Sequence, residues 1–307
     1  MICSILPVDG NAQFRFTRFE RNPIITPSLL PGIDGENING PSLVKVPDWV
    51  TGALGKYYLY FAHHQGAYIR LAYANDLKGP WKIYTPGSLN FGECSCIKHI
   101  ASPDVHINSE DRQIVMYFHC PTGEKGQRTF RAVSTDGIHF LPDTVALGAP
   151  YFRVFRWNGV TYALARKGIL YRSLDGSRTF EEGNNPFDAV QTDSNYLRHA
   201  AVKVHGEKLL VFYSRIGDTP ERILLSNIEL TGNWKEWTAS APVTLAYPTT
   251  EYEGAMLPAI TSTSGAFHGL VRQLRDPAFY EENGKWYLLY SVGGENGIGI
   301  AELDHTQ

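Results

Sequence analysis

Arg275-Asp276-Pro277-Ala278-Phe279, then Asn283-Gly284, then Trp286-Tyr287-Leu288-Leu289-Tyr290 reads as a strand, a tight turn and an aromatic-rich strand. Asn-Gly suits a two-residue hairpin because both positions accept positive φ, and the second run is apolar throughout, as a strand buried on both faces must be. The phrase recurs four times upstream. Asn39-Gly40-Pro41-Ser42-Leu43-Val44 precedes Gly55-Lys56-Tyr57-Tyr58-Leu59-Tyr60-Phe61, and Ser102-Pro103-Asp104-Val105 precedes Ile114-Val115-Met116-Tyr117-Phe118. Ala149-Pro150-Tyr151-Phe152-Arg153-Val154 precedes Thr161-Tyr162-Ala163-Leu164, and Arg198-His199-Ala200-Ala201-Val202 precedes Leu209-Leu210-Val211-Phe212-Tyr213.

Several copies continue into a third strand and a polar turn, as at Ser134-Thr135-Asp136-Gly137 and Ser173-Leu174-Asp175-Gly176, where Asp-Gly turns the chain into an outer fourth strand. A lone sheet with two apolar faces needs neighbours on both, so five such units predict an all-β, five-bladed β-propeller of four-stranded antiparallel blades rather than a rival all-β fold. The last blade is one strand short, and Phe14-Arg15-Phe16-Thr17-Arg18 alternates as the missing strand should. Helical patterning is nearly absent, and 29 Gly and 18 Pro spread along 307 residues fit a turn-dense single domain spanning 1–307.

Lys and Arg total 28 against 31 Asp and Glu, with no basic run, which argues against nucleic acid or an anionic membrane as partner. The start Met-Ile-Cys-Ser-Ile-Leu-Pro lacks a leader's basic and apolar regions, giving a cytoplasmic expectation, with a periplasmic or secreted one if a leader has been removed. Cys3, Cys94, Cys96 and Cys120 include a Cys-Ser-Cys pair too close for an ordinary bridge, so all four are expected as reduced thiols, and no zinc spacing is present. Oligomeric state is left open.

In a propeller the first strand of each blade lines the central axis. Polar residues opening those strands therefore meet in one funnel: Asn39, Asp104, Tyr151, Arg198, His199, Arg275 and Asp276, joined by His63 and His64 at the end of the first blade's second strand. Singly, an Asp beside Pro is commonly a cap and a His on an apolar strand a satisfied core group. Together, so many ionisable groups are costly to bury unless they bind or catalyse. Tyr151 and Tyr196 add flat aromatic faces on which a ligand ring can stack. Residues 241–274 form the longest irregular stretch, carrying Tyr252-Glu253-Gly254 and Arg272.

At Arg275-Asp276-Pro277 and Ala101-Ser102-Pro103-Asp104-Val105 the chain resembles the five-bladed glycoside-hydrolase superfamily, notably family 43 and its relatives in families 32, 62 and 117. The resemblance spans the whole chain. It implies a first-blade Asp as base or nucleophile, a second-blade Asp that tunes the acid, and a later Glu as acid; only Asp104 carries over directly. Asn39 stands where the first-blade Asp is expected and Arg198-His199 where the fourth-blade Glu is expected, so the usual triad is not intact. Asp276 is then the candidate base, with Glu253 ahead of His199 or His63 as acid.

Arg198, Arg272 and Arg275 point to a uronic or sulfated sugar, or else to pairing with Asp104 or Asp276. The expected function is an exo-acting glycosidase on a terminal sugar. The alternatives are a non-catalytic carbohydrate-binding propeller and a lyase or phosphorylase on the same scaffold. No cofactor or catalytic metal is called for; a structural calcium reached through water and Asp104 is an expectation of the resemblance only, as the sequence holds no acidic calcium loop.

Overall fold

The structure, a computed structural model, describes residues 14–123 and 126–305; Cys3 and the rest of residues 1–13 lie outside the described residues. Twenty strands form five four-stranded antiparallel sheets. The first blade holds β2 (Asn39–Lys45), β3 (Tyr57–Ala62), β4 (Tyr68–Ala74) and β5 (Lys82–Asn90), and the second β6 (Ala101–Asn108), β7 (Gln113–Pro121), β8 (Gln127–Ser134) and β9 (Leu141–Pro142). The third holds β10 (Arg153–Trp157), β11 (Val160–Leu164), β12 (Leu170–Ser173) and β13 (Glu181–Glu182), and the fourth β14 (Tyr196–His205), β15 (Lys208–Ile216), β16 (Ile223–Glu229) and β17 (Val243–Ala246). The fifth runs β18 (Arg275–Glu282), β19 (Lys285–Ser291), β20 (Ile298–His305), with β1 (Phe14–Arg18) as its outer strand.

The ring closes as the alternation at 14–18 predicts: β1 pairs antiparallel with β20, Phe16 opposite Leu303. Apolar layers between blades explain why second strands are apolar throughout. Leu59 and Phe61 pack toward Leu289 and Ile300 of the fifth blade, whereas Tyr58 and Tyr60 pack toward Met116 and Phe118 of the second. Successive side chains on one strand thus serve two different cores. Gly137 shows how tight the layers are: it sits at φ 74°, and a Cβ there would lie 2.9 Å from the Tyr60 hydroxyl.

One expectation is corrected. Cys96 and Cys120 form a disulfide, with Cα atoms 5.5 Å apart, while Cys94 stays a free thiol. The Cys-Ser-Cys spacing forbids a bond within the pair, but the loop carrying it folds back on β7, and strand geometry brings Cys120 to Cys96. Among the described residues no helix is long and apolar enough to cross a membrane.

Candidate functional site

Four of the five innermost strands carry a register break near their start, at Asn39/Ser42, Ala101/Asp104, Leu197/Ala200 and Arg275/Ala278. At these breaks and at the head of the third blade, Gly40, Ser102, Tyr151 and Asp276 take φ of 60°, 52°, 70° and 48°. A bulky tyrosine in the left-handed region is a local cost that the surrounding fold must impose, a common mark of a working site. The break also fixes equivalence: Gly40, not Asn39, holds in the first blade the place Asp276 holds in the fifth. A Cβ at Gly40 would come within 3.3 Å of the Ser102 backbone, so this blade offers no carboxylate there.

A pocket of about 180 Å³ opens where the inner strands begin, lined by His64, Gln127, Tyr151, Arg166, Tyr196, Arg198, His199, Ile216, Ser264 and Gly265. His199 stands in the lining, with Asp276 directly behind it. The carboxylate oxygen Oδ1 of Asp276 meets Nδ1 of His199, and its Oδ2 accepts from the Ser291 hydroxyl at 3.2 Å. His199 Nε2 is buried without a partner among the described residues. Desolvation alone would raise the Asp276 carboxyl, but His199, Arg198 and Arg275 outweigh it and hold the group well below the usual carboxylate range. Tyr151 packs edge-on against the His199 ring at 4.3 Å and against His119 at 4.2 Å, centroid to centroid. Burial raises the Tyr151 phenol, keeping it protonated, and holds His64 below the ordinary histidine value, with Glu295 acting the other way.

Beneath the pocket lies a buried ion network that the sequence did not announce. Glu221 is fully buried and receives Arg198 Nε at 2.9 Å and Arg275 Nε at 3.0 Å. Arg275 Nη1 reaches Glu295 at 2.7 Å, and Glu295 also accepts from Asn37 and, at 3.3 Å, from Asn39. Arg198 further donates to the Ser262 hydroxyl at 3.1 Å and to the carbonyls of Thr263 and Gly265, tying the 262–265 stretch to the pocket floor.

The structure brings His199, His64, Tyr151 and Arg198 to the pocket, with Asp276, Arg275 and Asn39 directly behind. Others lie elsewhere. Glu253 caps a short 3-10 turn and bonds Arg18 at 2.7 Å and the Tyr290 hydroxyl at 3.1 Å, and it lines no part of the pocket. His63 accepts from the Gln65 amide at 3.0 Å, and Arg272 is half-buried outside the pocket lining. Asp104 lines a separate hollow of about 370 Å³ toward the far ends of the inner strands, paired with His106 at 2.8 Å. Asp104 and Asp276 therefore do not work as a pair. The cause is position along the strand: Asp104 lies past the register break, at the level of Ser42 and Ala278, which line the same hollow.

A simple rule would have found the missed residues. The turn joining the second and third strands of every blade returns to the mouth where the first strand begins. His63 and His64 occupy that turn in the first blade; Arg166 and Lys167 occupy it in the third, Asp218 to Glu221 in the fourth and Glu295 in the fifth. Among the described residues no group of three or more His, Cys, Asp or Glu side chains is gathered to hold a metal ion. In the channel by Asp104, the carbonyls of Ala200, Ser102, Pro103 and Phe152 already accept from the Arg153 guanidinium, the first at 2.8 Å, so these donors do not fit a calcium ion.

Fold and pocket define a five-bladed propeller with a polar site at one mouth, and solved structures share that fold. A glycoside hydrolase family 43 β-xylosidase/α-arabinofuranosidase from a compost microbial metagenome superimposes with a TM-score of 0.62 at 16% identity, covering 95% of this chain and 96% of that one. A family 43 enzyme from Xanthomonas citri gives 0.61 at 13% identity over 88% of each chain, and an α-L-arabinofuranosidase from Lactobacillus brevis 0.59 at 12% over 92% of each. The fold is that of the family 43-like glycosidase propellers. No family model matches the chain. By sequence it belongs to the family of the uncharacterized protein R118 of Acanthamoeba polyphaga mimivirus, with which it is 35% identical over 93% of this chain and 89% of that protein.

Proposed function

We propose that the protein is an exo-acting glycoside hydrolase that takes one terminal, acidic sugar into the His199 pocket. The observation behind this reading is the anchored imidazole: Asp276 holds Nδ1, which leaves the buried Nε2 as the atom free to take a proton inside a polar pocket. A cavity of about 180 Å³ suits a single ring rather than a polymer segment, which favours cleavage at a chain end.

In this reading His199 Nε2 takes a proton from water, Asp276 orients the ring and balances its charge, and the protonated Tyr151 phenol donates to the leaving oxygen. The usual pair of carboxylates is replaced, because among the described residues no Asp or Glu lines the pocket. That same absence favours a second reading, β-elimination from a uronate, in which His199 removes the proton beside the carboxylate and Tyr151 protonates the leaving oxygen.

End-labelled neutral and uronate oligosaccharides, together with aryl glycosides, separate these readings. Hydrolysis releases one saturated sugar per turnover and elimination a conjugated, ultraviolet-absorbing product. Binding without turnover, in the wild type and His199→Asn alike, overturns both.

A further inference from the structure

Two cations at the pocket rim have no acidic partner among the described residues. Arg166 lines the pocket, half-buried, and its guanidinium makes no hydrogen bond or ion pair with any described residue. Its neighbour Lys167 is exposed and lies over the ring of Tyr196, itself a lining residue, at 4.8 Å. The two arginines at and behind the pocket floor are taken: Arg198 and Arg275 are saturated by Glu221, Glu295, Gln273 and backbone carbonyls. Among the described residues no carboxylate lines the pocket, and none pairs with the positive charge of Arg166 or Lys167.

The turn that carries them is braced. The Arg166 amide bonds the Pro150 carbonyl at 2.9 Å, and the Lys167 carbonyl accepts from Asn185 and Gln191, both at 2.9 Å. Gly168 sits at φ 88° against the Phe187 ring, where a Cβ would come within 2.7 Å. A rigid turn presenting an unpaired guanidinium into a small polar pocket is a preorganised anion site.

We propose that Arg166, assisted by Lys167, recognises the carboxylate or sulfate of the bound sugar and sets the preference for acidic over neutral sugars. This rests on the reading of the His199 pocket as the sugar site. Arg198 instead holds the 262–265 stretch in place and contributes no free charge.

The test measures binding apart from turnover. Glucuronate, galacturonate, glucose and galactose are titrated against the full chain by saturation-transfer NMR, for wild type, Arg166→Met, Arg166→Lys and Lys167→Met. The expected result is a uronate preference in the wild type and at least a tenfold loss of uronate affinity in Arg166→Met, about the value of one charge-assisted hydrogen bond. Neutral-sugar binding stays unchanged, Arg166→Lys recovers part of the loss, and Lys167→Met gives a smaller, salt-sensitive loss. Equal effects on acidic and neutral sugars, or no uronate preference in the wild type, overturn the proposal. If uronate binding depends on Arg166 while no glycoside is ever cleaved, the enzymatic reading fails and the recognition site stands.

Discussion

Arg198 and Arg275 share one carboxylate: Glu221 gives Oε1 to Nε of Arg198 at 2.9 Å and Oε2 to Nε of Arg275 at 3.0 Å. Both guanidinium groups and the carboxylate are almost wholly shielded from water. The cluster joins the head of β14, the turn after β15 and the head of β18, so it locks the fourth and fifth blades together beneath the pocket. Glu221→Ala leaves the buried Arg198 without a carboxylate and Arg275 with Glu295 alone, and is expected to lower unfolding free energy by about 3–5 kcal/mol. Urea denaturation followed by tryptophan fluorescence measures this, and a loss below about 1 kcal/mol contradicts the hub role.

The His199–Asp276 pair yields a second expectation, separable from stability. His199→Asn keeps a polar group near the place of Nδ1 but removes the proton acceptor Nε2, so kcat should fall by about 10²–10⁴ on any substrate the enzyme turns over. Asp276→Asn should reduce kcat too, and should also flatten the acid limb of the stability profile. The Asp276 carboxyl lies below its ordinary value of 3.8, so its contribution is present above that pH and is lost as pH falls further. Unfolding midpoints between about pH 5 and about pH 3 compare the variant with the wild type; parallel curves contradict the buried pairing.

The disulfide makes a third. Cys96 and Cys120 are 24 residues apart, and closing a loop of that length restricts the unfolded chain by about 3 kcal/mol on the chain-entropy account. Cys96→Ser, or reduction under native conditions, should lower the unfolding midpoint accordingly. Peptide mapping without reductant should recover the Cys96–Cys120 pair, and finding both as free thiols contradicts the bond.

The fold was legible because five copies of one strand-turn-strand phrase admit few arrangements, and the alternation at Phe14–Arg18 even identified the closing strand. The site was legible in part. His64, Tyr151, Arg198 and His199, picked out from their places at strand heads and turns, line the one pocket, whereas Asp104, further along its strand, lines the hollow at the other end. Glu253 looked like a catalytic acid from its Tyr-Glu-Gly setting, yet its side chain is spent on Arg18, Tyr290 and two backbone amides. Glu221, Glu295 and Arg166 belong to turns with no motif of their own; only the superposition of blades reveals that these turns converge.

The histidines around the pocket set a final expectation, on pH. Burial, reinforced by the charges of His199, His99 and His64, holds His119 far below the ordinary value of 6.5, and burial also lowers His63, His64 and His99. Each of these groups is protonated in the unfolded chain below pH 6.5 while the folded chain still excludes the proton. Stability therefore falls as pH drops through that window, by about 1.4 kcal/mol per pH unit for each fully shifted group. His106 works in the opposite direction: burial opposes its charge, but Asp104 raises it, so its contribution is present below pH 6.5 and is lost as pH rises above that value. The four lowered histidines outnumber it, so urea midpoints should be lower at about pH 5.5 than at about pH 7, before carboxylates titrate. His119 is 2% exposed with Nδ1 unpartnered, so His119→Met removes the largest single contributor without leaving a buried polar atom. In that variant the difference between the two pH values should shrink by about 1 kcal/mol. An unchanged difference would show that His119 takes up its proton in the folded state as readily as in the unfolded chain.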